Sequence, residues 1–217
     1  MMKVTGIAAG IFGLAIAGAA LADDDERVSR TLDLEGFERI KISGVYEIDV
    51  RVGSDFSIEL SGPADELDRV EASVRNGELG LGQKNRRWRG GRDNDHGVEA
   101  VITMPSLSGL KVSGVVDGEI SGVDIDRFDV SLSGVGDIRI AGECGMIDAK
   151  VSGVGDLDAR ELECREADIN VSGVGSASVF ASEAVDANIS GMGDIDVYGS
   201  PSRVNKSDSM FSDITIH

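Results

Sequence analysis

The sequence predicts an all-β fold: a right-handed parallel β-helix-like solenoid preceded by a strand-rich N-terminal region. Three observations predict it. A short phrase recurs at Ser113-Gly-Val-Val, Ser133-Gly-Val-Gly, Ser152-Gly-Val-Gly, Ser172-Gly-Val-Gly and Ser190-Gly-Met-Gly, in steps of 20, 19, 20 and 18 residues, the signature of an internal repeat. The residues before each serine alternate apolar and polar, as in Phe128, Val130 and Leu132 around Asp129 and Ser131, which is the period of a strand with one buried face. A second apolar pair follows each corner: Ile138 with Ile140, Leu157 with Ala159, Ala177 with Val179, Ile195 with Val197. A unit of this size cannot bury its apolar face alone, whereas stacked copies share a core. Parallel pairing would set like over like about 4.8 Å apart, and parallel crossovers are overwhelmingly right-handed. Five rungs would make a rod on the order of 24 Å long.

The remaining segments are read in chain order. Met1 to Ala22 carries Lys3, a mostly apolar run and Ala20-Leu21-Ala22 before Asp23-Asp24-Asp25, the pattern of a cleaved secretory signal peptide. An uncleaved anchor is the alternative, although the run is rich in Gly and Ala and weakly apolar for a span. Residues 23–36 read as a flexible acidic leader. Residues 37–104 form an N-terminal β region: strands over 37–44, 46–53 and 56–60, a short helix over 64–70 opened by Pro63, and a strand pair at 71–75 and 78–81 joined by Asn76-Gly77, a strong hairpin signal. A further strand covers 98–104. Residues 105–217 hold the repeats, with 37–217 as one continuous domain and 211–217 as a closing strand. Ser43-Gly44-Val45 resembles the repeat phrase, so the first strands read as degenerate rungs of the same pile.

Composition narrows the function. The chain has 21 basic and 39 acidic residues, for a net charge of −18; without Lys3 the mature chain stands at −19. Such a surface repels nucleic acid and anionic membranes, so nucleic acid is not an expected partner, and the mature chain holds no stretch apolar enough for a stable transmembrane span. One positive spot interrupts it: Arg86, Arg87, Arg89 and Arg92 surround Trp88, with Lys84 nearby. Arg and Trp together suit phosphate, carboxylate or a sugar face, which makes this loop the binding candidate; the bland reading is a solvated loop between strands.

Cys144 and Cys164 each stand eight residues before a repeat serine. Equivalent positions on adjacent rungs would put their Cα atoms about 5 Å apart, within disulfide reach, so a rung-to-rung disulfide is expected; two buried free thiols are the alternative. An acid recurs four residues after the serine at Asp117, Asp137, Asp156 and Asp194, with Ser176 breaking the row. Carboxylates ~5 Å apart in water repel by roughly 0.8 kcal/mol, which makes Asp137 and Asp156 weak candidates for a Ca²⁺ site. The Gly-Gly-x-Gly-x-Asp calcium repeat is absent, so neither a metal nor a cofactor is expected. The serine ladder lacks a base, since the histidines are His96 and His217 and an activated serine needs one nearby; these serines read as turn caps.

Phe37-Glu-Arg-Ile-Lys-Ile-Ser-Gly-Val45, Gly77-Glu-Leu-Gly-Leu81, Ile102-Thr-Met-Pro-Ser-Leu107 and the repeated Ser-Gly-Val-Gly-Asp occur here in one order. Together they resemble the bacterial family named putative auto-transporter adhesin, head GIN domain, over nearly all of 37–217. The resemblance implies an all-β, solenoid-like exported protein and supplies no catalytic residues. The reading is a non-enzymatic cell-envelope or surface protein, periplasmic or extracellular, acting as an adhesin-like binding or structural module with carbohydrate or an envelope protein as partner. The alternative is a polysaccharide-active β-helix enzyme using acids from neighbouring rungs.

Overall fold

Alternation of apolar and polar residues forces extended chain nearly everywhere, and in the computed structural model, which describes residues 27–53, 55–84 and 97–217, fifteen strands join in one open sheet. The strands are β1 (Arg27–Leu32), β2 (Arg39–Ser43), β3 (Val45–Val52), β4 (Ser57–Pro63), β5 (Val70–Arg75), β6 (Glu78–Gln83) and β7 (Val98–Met104) in the N-terminal region. Then follow β8 (Gly109–Val112), β9 (Val115–Leu132), β10 (Ile138–Val151), β11 (Leu157–Val171), β12 (Ala177–Ile189), β13 (Gly193–Tyr198), β14 (Arg203–Ser207) and β15 (Ser212–Ile216). One helical turn, α1 (Ala64–Leu67), interrupts them. The hairpin turn is made as the sequence requires, with Asn76 at φ 51° and Gly77 at φ 72° between antiparallel β5 and β6.

The repeats pair in parallel, like over like. β9, β10, β11 and β12 form successive neighbours, with Ile147 facing Phe128 below and Ala167 above, and Asp148 facing Asp129 and Asp168. At the corners single bridges link Val115, Val135, Val154, Val174 and Met192 in an unbroken column. The unequal steps of the repeat are absorbed as register irregularities away from the corners, at Ile140/Gly142 and Ala159/Glu163. The alternating inward residues are buried throughout, in one core that runs from Phe37 to Ile214.

The N-terminal strands extend the same stack. β3 pairs in parallel with β9 and β2 with β8, and Val115 N–H donates to the Gly44 carbonyl at 2.8 Å, so Ser43-Gly44-Val45 occupies a rung of its own. β15 closes the other end beside β13. Two expectations need correction. Residues 27–32, read as part of a flexible leader, form β1, antiparallel to β4 over six residue pairs, and Arg27 and Arg30 anchor it to Glu99 and Asp68. The acidic run before it masked an alternation too weak to read, since β1 is exposed along most of its length. The helix is also shorter than 64–70, because Val70 already opens β5.

Candidate functional site

The repeat phrase builds three outward columns. Period two runs through the corner without a break: Leu132, Gly134, Gly136 and Ile138 take the inward positions, while Ser133, Val135 and Asp137 take the outward ones. Serines therefore stack on serines, valines on valines and aspartates on aspartates.

Each column has its own chemistry. The serine N–H groups donate to a carbonyl of the rung below, Ser133 to Val112 at 2.8 Å and Ser152 to Leu132 at 2.8 Å, and their hydroxyls donate to the same carbonyls at 3.0 and 3.4 Å. The serines thus tie one rung to the next, where the sequence suggested caps of the local turn. In the aspartate column three carboxylates accept the backbone N–H of the next rung: Asp117 from Asp137 at 3.0 Å, Asp137 from Asp156 at 2.9 Å and Asp156 from Ser176 at 2.7 Å. That charge-assisted contact offsets the repulsion between neighbours and explains why an acid recurs there. Among the described residues no group of three or more His, Cys, Asp or Glu side chains is arranged to hold a metal ion.

The valine column is different, because none of the described residues covers it. Val115, Val135, Val154, Val174 and Met192 are 45–54% exposed, and Met210 and Phe211 continue the line at 94% and 76%. Serine, glycine and valine of every rung line a shallow, open groove that starts at Gly44 and Val45 and ends at Phe211. Its floor is bare backbone, and tightly so: a Cβ placed on Gly134, Gly153, Gly173 or Gly191 would lie within 2.0 Å of the glycine carbonyl oxygen of the rung below. The corner N–H groups are already engaged by those carbonyls, Val135 to Gly114 at 2.9 Å and Val154 to Gly134 at 3.0 Å. The groove thus offers methyl groups over a backbone whose valine N–H groups and glycine carbonyls are already paired.

Other expectations resolve variously. Cys144 and Cys164 face each other on β10 and β11 and are joined as a disulfide, with Cα atoms 4.5 Å apart. Arg86, Arg87, Trp88, Arg89 and Arg92 lie outside the described residues, although the chain leaves and returns beside the groove: Gln83 Oε1 accepts the Val45 N–H at 3.1 Å. His217 meets Asp196 at 2.8 Å and stacks on Tyr198. A second acidic row, Asp129, Asp148, Asp168 and Asp186, stands four residues before the serines; in it Asp148 takes Arg127 and Lys150 at 2.8 Å each, and the bond from its ammonium to Asp148 raises the Lys150 pKa. The Arg160 guanidinium bound to Asp158 holds that carboxyl below its usual range. Burial raises the Tyr46 phenol well above its ordinary value, with the Glu66 carboxylate adding to it. Sequence reasoning missed the exposed valines; the signal was their outward parity with Ser133 and Asp137, where an apolar residue has no core to fill.

Residues 36–201 match the family described as "Putative auto-transporter adhesin, head GIN domain". The chain belongs to this family. Three solved structures resemble the head GIN chain in fold. A putative adhesin from Bacteroides fragilis has a TM-score of 0.73 at 22% identity, covering 88% of this chain and 97% of its own. A putative adhesin from Parabacteroides distasonis gives 0.51 at 16% identity, covering 88% and 98%. A putative lipid binding protein from the same organism gives 0.50 at 17% identity, covering 87% and 96%. No curated protein matches. Among the described residues no helix is long and apolar enough to cross a membrane.

Proposed function

We propose that this head GIN domain protein is an exported, non-enzymatic adhesin-like module whose stacked turns form a right-handed solenoid, a rigid rod presenting the Ser-Gly-Val groove to a carbohydrate or protein of the cell envelope. The observation that carries this reading is the exposed column from Val115 to Phe211. Apolar surface in one continuous line is a mark of an interaction site, and the glycine floor beneath it holds the line straight. Family membership supports a surface role, and the signal-like sequence of residues 1–22 supports export to the periplasm or beyond. The acids sit on nearly every rung, engaged with backbone or cations, instead of converging as a catalytic pair.

The test is attachment. Purified protein labelled with a fluorophore is incubated with intact cells and with envelope fragments, beside the variant Val135→Thr/Val154→Thr/Val174→Thr. Threonine keeps the β-branched shape and removes the apolar face. Retention by the native protein and its loss in the variant, at unchanged circular dichroism, is the expected result. Equal retention of both would remove the groove from the function.

A further inference from the structure

The two flanks of the groove differ in charge, and the difference indicates a partner. Beyond the valine column lies the aspartate column of Asp117, Asp137, Asp156 and Asp194; beyond the serine column, two residues earlier in each rung, stand Lys111, Ser131, Lys150, Asn170 and Asn188. One rim is therefore anionic at every rung but that of Ser176, and the other neutral to basic. Asp117, Asp137 and Asp156 are each fixed by a hydrogen bond to the next rung, so these three charges stand at rung spacing.

Spacing then selects the shape of the occupant. Rungs recur about every 4.8 Å, whereas same-face residues of an extended peptide recur about every 6.7 Å and fall out of step after two. The turns of an α-helix recur about every 5.4 Å, only ~0.6 Å longer than a rung. Over four turns, about 15 residues, the mismatch accumulates to roughly half a rung. The groove between outward serine and valine is about 6.7 Å wide at the backbone, enough for one row of side chains from such a helix to settle on the glycine floor. Resting on the binding role proposed above, we infer that the groove docks an amphipathic helix with one apolar stripe and lysines or arginines on the flank that faces the aspartate column. Its apolar residues would pack on the valines in the helix-in-groove mode, and the basic flank would set its direction and register.

The experiment uses a synthetic 15-residue helical peptide with leucines spaced i, i+3, i+4 and i+7, lysines along one flank and glutamines along the other, titrated onto the full-length protein by fluorescence anisotropy. Binding is expected to weaken at least fivefold between low and physiological salt. It should also weaken at least fivefold in Asp137→Asn/Asp156→Asn, where the amide oxygen still serves the next rung, and at least tenfold in the triple valine-to-threonine variant. A peptide of scrambled order, or one with glutamates for the lysines, should fail to bind. Equal binding of those control peptides, no binding of any peptide, displacement by laurate with no effect of the Asp changes, or self-association of the protein through the groove in sedimentation would each overturn the helix assignment. If the valine variant loses cell attachment while no peptide binds, the helix falls and the binding face stands; if attachment survives that variant, the binding face falls too.

Discussion

The glycine and valine columns run side by side through the same tetrapeptides, yet the fold fixes one and leaves the other free. At Gly153 an added Cβ would sit 1.8 Å from the carbonyl oxygen of Gly134, in a backbone paired to the rungs on both sides, so no other residue fits. At Val154 more than half of the side chain's surface is open to solvent, and no packing requirement there excludes a polar residue. A repeated glycine in this stack is thus accounted for by geometry alone, whereas a repeated exposed valine is not. Surplus repetition of that kind points to a role outside the fold.

Changes at the two columns and at the contacts that hold rungs together should therefore separate by size. The largest effect is expected from Gly153→Ala: the clash is with backbone on a paired rung, and a loss above ~4 kcal/mol is expected, beyond the usual range of single substitutions. Urea unfolding, or failure to recover folded protein, would show it. Next comes Cys144→Ser/Cys164→Ser. The disulfide closes a loop of 20 residues, worth ~3 kcal/mol in the chain-entropy model, and a smaller loss would show how strongly the parallel pairing already holds these positions. Third, the buried Tyr46 hydroxyl donates to the Gly82 carbonyl at 2.9 Å, so Tyr46→Phe should cost about 1 kcal/mol near neutral pH. Because the folded phenol titrates above its unfolded value, the folded state holds the proton longer, and native stability should fall as pH rises past about 10. In Tyr46→Phe that part of the alkaline decline should vanish, a difference readable from melts across pH 9 to 11.

Much of this was legible in the sequence because repetition amplifies weak signals. Five copies of one phrase pointed to the parallel register, and with it to a rung-to-rung disulfide at Cys144 and Cys164 as against two free thiols, and the structure has both the register and the disulfide. Asn76-Gly77 specified its hairpin because few other dipeptides accept two successive left-handed residues. β1 was hidden since an edge strand exposed along most of its length carries too weak an alternation to read, and the boundary of α1 was blurred since Val70 suits strand as well as helix. The aspartate column was visible as a row of charges, but its purpose, accepting the N–H of the next rung, depends on a corner geometry that residue types alone do not specify. The valine column was visible too; its exposure was missed because apolar residues in a repeat read by default as core.

The smallest expected effect is also the most direct test of the claim that the valine column is free of structural duty. Urea unfolding of Val135→Thr/Val154→Thr/Val174→Thr should give a midpoint close to that of the native protein, each exposed change contributing within about 0.5 kcal/mol. A collapse of the midpoint approaching that of Gly153→Ala would show instead that the valines hold the rungs together, and the case for a docking face would be lost.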